Sequence, residues 1–429
     1  MGRLDWLLHR VVASYWSLPV LAVLAAPFFA VGLLLLDRAE LTAVLLDADL
    51  APVATSDTAK DLVAVAVGVN AALLTLYFSI TLLVLTVASS NLGVRLVDRW
   101  LDKRLVRVSL SGLSFTLIFS LVALAAIDAE ADLADTPLAT VAAVIALQAI
   151  NVAMLTVALH DLGRTIFVDR AIHHLGREAA SGPAPIETAE PYAGEWAATI
   201  DAPREGYVEG NDLDLLRKRL DGHSGAVRVC AAPGQHVLEG EPLILLQNAV
   251  PDDSRLGDAI AIGDFRSDGQ GAVFQVRLLV EIAARALSPA VNDFYTAMAS
   301  CDRLAAAMTG QAGKWVDEGR TAVYAEDHRF ELPGQDFRGL FEDPLNALRQ
   351  AACEYPSVSI RMIDNYRRLI EESVRKSGPA QLRAFWTTKA QELAEHAEAR
   401  AQYDCDRADI TEAFRRIAEP EGKRRAAAA

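Results

Sequence analysis

Four stretches in the first part of the chain stay apolar from end to end: Leu18 to Leu36, Leu62 to Ala88, Leu105 to Ile127 and Leu138 to Leu159. Each is about the length needed to cross a hydrocarbon core of roughly 30 Å. Lys, Arg, Asp and Glu occur only at their extreme ends. The pattern predicts four transmembrane helices filling the segment 1–160. A cleaved signal peptide is disfavoured, because the first stretch is long and three more follow it.

Beyond Leu159 charge becomes dense and the periodicities become those of water-soluble structure. Asp161 to Ala180 predicts a juxtamembrane helix, stopped by the Ser181-Gly182-Pro183-Ala184-Pro185 breaker in a linker that reaches residue 199. Over 200–262 short apolar runs alternate with Gly and Pro turns, which predicts a β-rich unit. The segment 263–420 reads as mainly helical. Apolar residues recur every three or four positions over Gln275 to Leu287 and Asp293 to Met308. Ser288-Pro289 separates those two helices, and Asn292 is placed to cap the second. A hairpin is expected from Thr321 to Ala325 and His328 to Leu332 across Glu326-Asp327, followed by amphipathic helices broken near Pro356 and Gly378. The last two, Gln381 to Ala401 and Arg407 to Ala418, carry charge on most faces and are expected to be solvated. The tail 421–429 is expected to be disordered.

Loop charge orients the spans, since Lys and Arg accumulate on the cytoplasmic side. The second connection holds Arg95, Arg99, Lys103 and Arg104, and the stretch after the fourth span holds Arg164, Arg170 and Arg177. The first connection carries Asp37, Glu40, Asp47, Asp49 and Asp57 against Arg38 and Lys60, and the third carries Asp128, Glu130, Asp132 and Asp135 with no base. Both termini are therefore expected in the cytoplasm, with the chain multi-pass in a bacterial cytoplasmic (inner) membrane.

The net charge of −15 argues against nucleic acid as a partner, because phosphate backbones need clustered bases. The four cysteines form no C-x-x-C pair, so neither a zinc knuckle nor a disulfide framework is indicated. No nucleophile elbow, Walker loop, dinucleotide fingerprint or H-E-x-x-H pair occurs, which disfavours an enzyme and leaves no catalytic residue or cofactor to assign.

Three groups of residues are candidates for function. Gly68, Thr75, Ser79, Thr86 and Ser90 recur at spacings of seven, four, seven and four, and so share one stripe of the second span. Such a stripe either packs against another helix or lines a wet path. Asn70 and Thr81 lie on the opposite face, and Gln148 and Asn151 share a face of the fourth span, where partners on neighbouring helices are expected. Asp169 and His173 have the i, i+4 spacing that can share a metal, but two ligands do not make a site, and a solvated face is the better reading. Arg285, Ser288, Asn292, Asp293 and Thr296 surround the break between two helices, where they either shape the turn or converge on a ligand or a neighbouring subunit.

Three stretches carry a resemblance. One runs from Tyr77-Phe78-Ser79-Ile80-Thr81 through Ala88-Ser89-Ser90-Asn91-Leu92-Gly93. Another joins Gly206-Tyr207-Val208 to Pro233-Gly234-Gln235-His236-Val237-Leu238-Glu239-Gly240-Glu241-Pro242-Leu243. The most specific is Ala286-Leu287-Ser288-Pro289-Ala290-Val291-Asn292-Asp293 with Thr296-Ala297. With these the chain resembles a bacterial family of predicted membrane proteins classed as a domain of unknown function, DUF2254. Phe294 stands where a proline usually follows the Asn-Asp pair, and Gly271 where an acidic residue usually follows Gln270. The resemblance implies four spans and a cytosolic domain, and no known activity. The middle stretch also looks like strands of a biotinyl or lipoyl barrel-sandwich. Such carriers present a lysine in a hairpin, whereas Asn211 to Lys218 predicts a helix, so covalent cofactor carriage is not expected.

The fold expected is thus an α-helical membrane protein with a cytosolic α+β domain containing a small barrel-sandwich-like β unit. The leading function is a homo-oligomeric ion channel or passive pore, with Thr75, Ser79, Thr86 and Ser90 facing a shared axis and the cytosolic domain gating it or binding a ligand. A membrane-anchored sensor or assembly scaffold is the alternative, and a lipid-active envelope enzyme comes third. Expected partners are the lipid bilayer, further copies of the chain, and an ion or small ligand.

Overall fold

The computed structural model describes residues 16–92, 104–165, 168–181, 185–249 and 255–418. The chain divides into two compact units, one holding the apolar helices and the other beginning at Val168.

In the membrane unit α1 (Ser17–Leu36) continues through a π turn (Asp37–Leu41) into α2 (Thr42–Asp47), and α3 (Ser56–Leu92), α4 (Arg104–Ala126) and α5 (Leu138–Thr165) follow. These make four helical stretches long and apolar enough to cross a membrane. The first is longer than the sequence pattern predicts, 31 residues from Ser17 to Asp47, because Asp37 does not start a loop. On α4 the residues Val106, Ser109, Leu110, Leu113, Thr116, Phe119, Ser120 and Ala123 are buried, recurring at three and four as a single inward stripe. Gly112 lets α5 approach: a Cβ there would stand 2.7 Å from Met154 Cε and 2.9 Å from Asn151 Oδ1.

The helix expected from Asp161 to Ala180 covers the end of α5 and α6 (Val168–Ala180), with residues 166–167 outside the described residues. The α+β unit then runs β1 (Ile186–Ala189), β2 (Ala198–Asp201), β3 (Gly206–Asn211), α7 (Leu213–Arg219), β4 (Val227–Val229), β5 (His236–Val237), β6 (Pro242–Leu246), β7 (Ile260–Gly263), α8 (Ala272–Ala286) and α9 (Phe294–Gln311). It ends with β8 (Thr321–Tyr324), β9 (Asp327–Glu331), α10 (Phe337–Ala352), α11 (Pro356–Arg375), α12 (Ala380–Arg400) and α13 (Asp404–Ala418). The helix expected between the two barrel-sandwich halves is α7, capped by the Asp212 side chain accepting from Leu215 N.

The sheets do not close into a barrel. The strands lie in two open sheets, six-stranded in the order β1-β8-β9-β4-β6-β2 and three-stranded in the order β5-β3-β7. β4 pairs in parallel with β9, Val227 opposite Phe330, so the later hairpin extends the sheet beside β4. Val227 and Val229 point into the core with Leu243, Ile244, Leu246 and Phe330. Between the two valines Arg228 turns outward, its Nε 2.7 Å from Glu331 Oε2 and its guanidinium 5.0 Å from the Trp196 ring.

The helices pack around an aromatic cluster in which Phe337 sits 4.8 Å from Phe341 and 6.0 Å from both Phe385 and Trp386. The last two helices are not solvated on all sides as their charge suggested. α12 buries Leu382, Trp386, Ala390, Leu393 and Ala397, and α13 buries Ile410 and Ala413. Long charged side chains beside those positions had masked a narrow apolar stripe. The tail 421–429 lies outside the described residues.

Candidate functional site

On α3 the buried positions Val63, Ala66, Asn70, Tyr77, Thr81 and Val84 form one face. Thr75, Ser79 and Thr86 are exposed on the other. Their hydroxyls donate to the carbonyls four residues back: Thr75 Oγ1 to Ala71 O at 2.9 Å, Ser79 Oγ to Thr75 O at 2.9 Å, Thr86 Oγ1 to Leu82 O at 2.8 Å. The side chain of Ser90 lies outside the described residues. The stripe extends through exposed Ala64, Gly68 and Ala71, with Leu82 the large residue in register. Large apolar side chains flank the stripe, Val65, Leu82 and Leu83 being more than half exposed, as Leu21, Leu24, Phe28, Phe29 and Leu35 are on α1.

The polar groups expected to find partners inside the bundle do so mainly on α4. Asn70 Nδ2 donates to Leu113 O at 2.8 Å, and Asn151 Nδ2 donates to Thr116 Oγ1 at 2.8 Å and Gly112 O at 3.3 Å. Thr81 Oγ1 and both side-chain polar atoms of Gln148, by contrast, are without a partner.

One polar centre was not anticipated. Asp37, read from sequence as an acid of an outer loop, is buried at 5% exposure and caps α5. Its Oδ1 accepts from Thr42 Oγ1 at 2.9 Å and Ala139 N at 3.0 Å, and its Oδ2 accepts from Thr140 N at 2.9 Å and Thr140 Oγ1 at 2.6 Å. Thr42 Oγ1 also accepts from Leu138 N at 3.3 Å, so the first three amides of α5 are all met by side chains of the first span. Helix N-termini favour a negative charge, and the π turn brings the carboxylate there. The available signal was Leu138 opening a helix with no Ser, Thr, Asp or Asn directly before it.

The turn joining α8 and α9 accounts for its own polar groups. Asn292, expected as the cap, has φ +50°, whereas the capping position needs negative φ, and Asp293 takes the role instead. Asp293 Oδ1 accepts from Thr296 N at 3.1 Å and its Oδ2 from Thr296 Oγ1 at 2.6 Å. Asn292 tolerates the left-handed region better than most residues, and its N–H donates to Ser288 O at 2.9 Å. Arg285 Nη2 lies 3.8 Å from Glu281 Oε1 on its own helix. Tyr355 Oη donates to Leu287 O at 2.6 Å, tying the turn to α11. Asp293 and Thr296 therefore meet each other, and Asn292 is exposed. Val291, Phe294 and Tyr295 are exposed beside them. Asp169 and His173 are exposed on α6, and among the described residues no three His, Cys, Asp or Glu gather to hold a metal ion.

At the other end of α8 the second resembling stretch folds together. Gly206 pairs with Val237 and Tyr207 with His236, while Val208 and the Pro233 turn exchange Val208 N to Gln235 O at 2.9 Å and Gly234 N to Val208 O at 2.7 Å. Arg277 Nη1 reaches from α8 to Gly234 O at 2.7 Å. Inside this junction Glu209 is 5% exposed and accepts from Ser267 Oγ. Gly263 and Gly269 crowd that carboxylate, since a Cβ on either would stand 2.3 Å and 2.9 Å from its oxygens. Gln270, 4% exposed, has neither polar atom of its amide partnered. Sequence reasoning missed this junction, although the glycines at 263, 269 and 271 around a short acidic loop were its signal. The 15 residues of α8 put roughly 22 Å between it and the Ser288 turn, too far for one small ligand to touch both.

Similar proteins give the chain a family without an activity. An uncharacterized protein of Mycobacterium bovis is 27% identical over 280 residues, which is 61% of this chain and 54% of that protein. An uncharacterized protein of Mycobacterium tuberculosis matches to the same extent. The chain thus aligns with about half the length of these curated relatives. No solved structure matches it. The family described as predicted membrane protein (DUF2254) matches residues 12–368, and the chain belongs to that family.

Proposed function

We propose that the protein assembles into a homo-oligomer through α3 and that the hydroxyl-bearing face of this helix lines a passive path for ions across the bacterial cytoplasmic membrane. The supporting observation is the character of the face that α3 turns away from its own bundle. Ala64, Gly68, Ala71, Thr75, Ser79 and Thr86 make one stripe of the exposed surface of α3 small and hydroxylated, between the large exposed residues Val65, Leu76, Phe78, Leu82 and Leu83. Small residues let helices from neighbouring copies approach. Each hydroxyl proton is already used on its own helix, which leaves oxygen lone pairs to accept from water or coordinate a cation. The charge of −15 favours cations, and the basic second connection supports a cytoplasmic α+β unit.

Purified protein in liposomes is expected to pass monovalent cations, and the Thr75→Leu, Ser79→Leu, Thr86→Leu triple variant to block them. Native mass spectrometry of the same preparation is expected to show an oligomer. Background flux from a folded wild-type protein overturns the pore reading, and a monomer overturns the assembly as well.

A second reading, a membrane-anchored sensor or scaffold, is favoured by the unpartnered Gln270 amide beside buried Glu209. It expects background flux together with a binding activity that survives the leucine variant. If the Ser288 turn is the contact, Asn292→Ala and Asp293→Ala abolish capture of the partner while the protein stays folded.

A further inference from the structure

α9, α11 and α12 pack side by side, and the turn from α11 to α12 leaves a cavity of about 320 Å³ between them. That volume lies at the lower end of the range of small-molecule sites. Leu369 and Leu382 supply its apolar walls, and Trp386 and Ser373 also border it. Trp386 is 1% exposed and Ser373 8%, yet neither Trp386 Nε1 nor Ser373 Oγ has a hydrogen-bond partner. Buried polar groups are ordinarily satisfied, and an indole N–H can only donate, so the missing group is an acceptor. Gly378 keeps the serine uncovered, because a Cβ there would stand 2.6 Å from Ser373 Oγ.

The charge around the opening points the same way. Glu372 faces two bases, with Lys376 Nζ at 3.0 Å and Arg375 also paired to it. A second groove of about 380 Å³ shares Thr309, Leu369 and Glu372 with the cavity and adds Arg368, whose Nη1 bonds the neutral Asn365 Oδ1 at 3.0 Å and whose charge also acts on Asp302. The acid at its far end, Asp302, is held by Arg361 at 2.7 and 2.8 Å. Cations are left in excess beside a slot that ends in two orphan donors.

We propose that this cavity binds a small amphipathic carboxylate. Its oxygens accept from Trp386 Nε1 and Ser373 Oγ, its charge is met by Lys376, and its short hydrocarbon body lies against Leu369 and Leu382. The site belongs to the α+β unit alone and stands or falls independently of the pore.

The test uses the full chain in lipid nanodiscs with its six tryptophans replaced by fluorotryptophan. Fluorine NMR separates the resonances, and the one that Trp386→Phe deletes is followed while sodium hexanoate is added at constant ionic strength. A saturable shift of that resonance is expected, with affinity about tenfold weaker in Ser373→Ala, as for loss of a hydrogen bond to a charged group. Lys376→Gln, on the exposed rim, weakens binding without touching the buried wall. Hexanol, which has the same body and no charge, binds at least about tenfold more weakly, on the same physical ground. The proposal is overturned if the Trp386 resonance does not move saturably. It is equally overturned if folded Ser373→Ala and Lys376→Gln both bind hexanoate like the wild type, or if hexanol binds as well as hexanoate.

Discussion

Replacing Asp37 tests whether one carboxylate joins the first span to the last. Of its four donors, two are hydroxyls with somewhere else to turn. Thr42 Oγ1 already lies 3.2 Å from Thr136 O, and a helical threonine can donate to the carbonyl three residues back, which for Thr140 is Pro137 O. The other two are the backbone amides of Ala139 and Thr140 in the first turn of α5, which have no acceptor inside the helix. Stripping a buried N–H of its acceptor costs about 1–3 kcal/mol, and in a bilayer water is poorly placed to compensate. Asp37→Ala therefore loses about 2–6 kcal/mol from the two amides. Relief of the cost of burying a charge brings the expected net loss to about 3 kcal/mol. Asp37→Asn keeps an oxygen for Thr42 and Ala139 but turns an NH2 toward the two donors of Thr140, and should lose about half as much. Dodecyl sulfate titration in mixed lipid micelles, followed by circular dichroism, ranks the three proteins, with the wild type most stable and alanine least. An alanine variant within about 0.5 kcal/mol of wild type, the range of an ordinary surface substitution, would refute the capping role.

Other predictions concern single positions. Burial pushes the Cys301 thiol up to about 12, from 9.0 in the unfolded chain, so maleimide at pH 8 should label exposed Cys405 and leave Cys301 until the protein unfolds. Because the folded value is the higher, the contribution of Cys301 to stability is complete below pH 9 and is lost as pH rises toward 12. Cys301→Ala should accordingly flatten the alkaline limb of a stability-versus-pH curve, and an unchanged slope would count against the burial. Asp293→Ala should cost about 1 kcal/mol as the loss of a helix cap, while Asn292→Gly should be neutral or stabilising at its positive φ; thermal melts that reverse this order contradict the turn geometry. Gly112→Val should destabilise the bundle by about 1–3 kcal/mol in the same detergent titration, since Asn151 is pinned by its own hydrogen bonds and cannot yield.

What the sequence made legible follows the range of the interactions. Spans and soluble helices are local patterns, and the β8–β9 hairpin and α7 were readable from residues that are neighbours in the chain. The pairing of β4 with β9 joins Val227 to Phe330, and no local pattern announces a parallel partner a hundred residues away. Asp37 departs from its sequence pattern for a related reason. An acid after a long apolar run looks like the end of a span, and only the arrival of α5 supplies three of the four donors that let it stay inside. The hydroxyl stripe of α3 was legible as a stripe, because period 3.6 is local. Which way it faces depended on Asn70 and Tyr77 choosing the bundle side.

The two ends of α8 show how hydrogen-bond accounting reorders candidates that residue type alone had ranked. The Asn292-Asp293 turn drew attention because Asn, Asp and Thr crowd a helix break, yet its cap and closing amides are met within the turn. Gln270 drew less, being a single amide before a glycine, yet it is the residue left with a buried donor and a buried acceptor unmet. A methionine of similar length fills the same space without either group, so Gln270→Met should stabilise the α+β unit by about 1–3 kcal/mol in the absence of any ligand. Thermal unfolding of the full chain, followed by tryptophan fluorescence, reads this directly. A lower melting temperature would mean that the amide is bonded in the folded protein, and the case for Gln270 as an open contact beside Glu209 would fall with it.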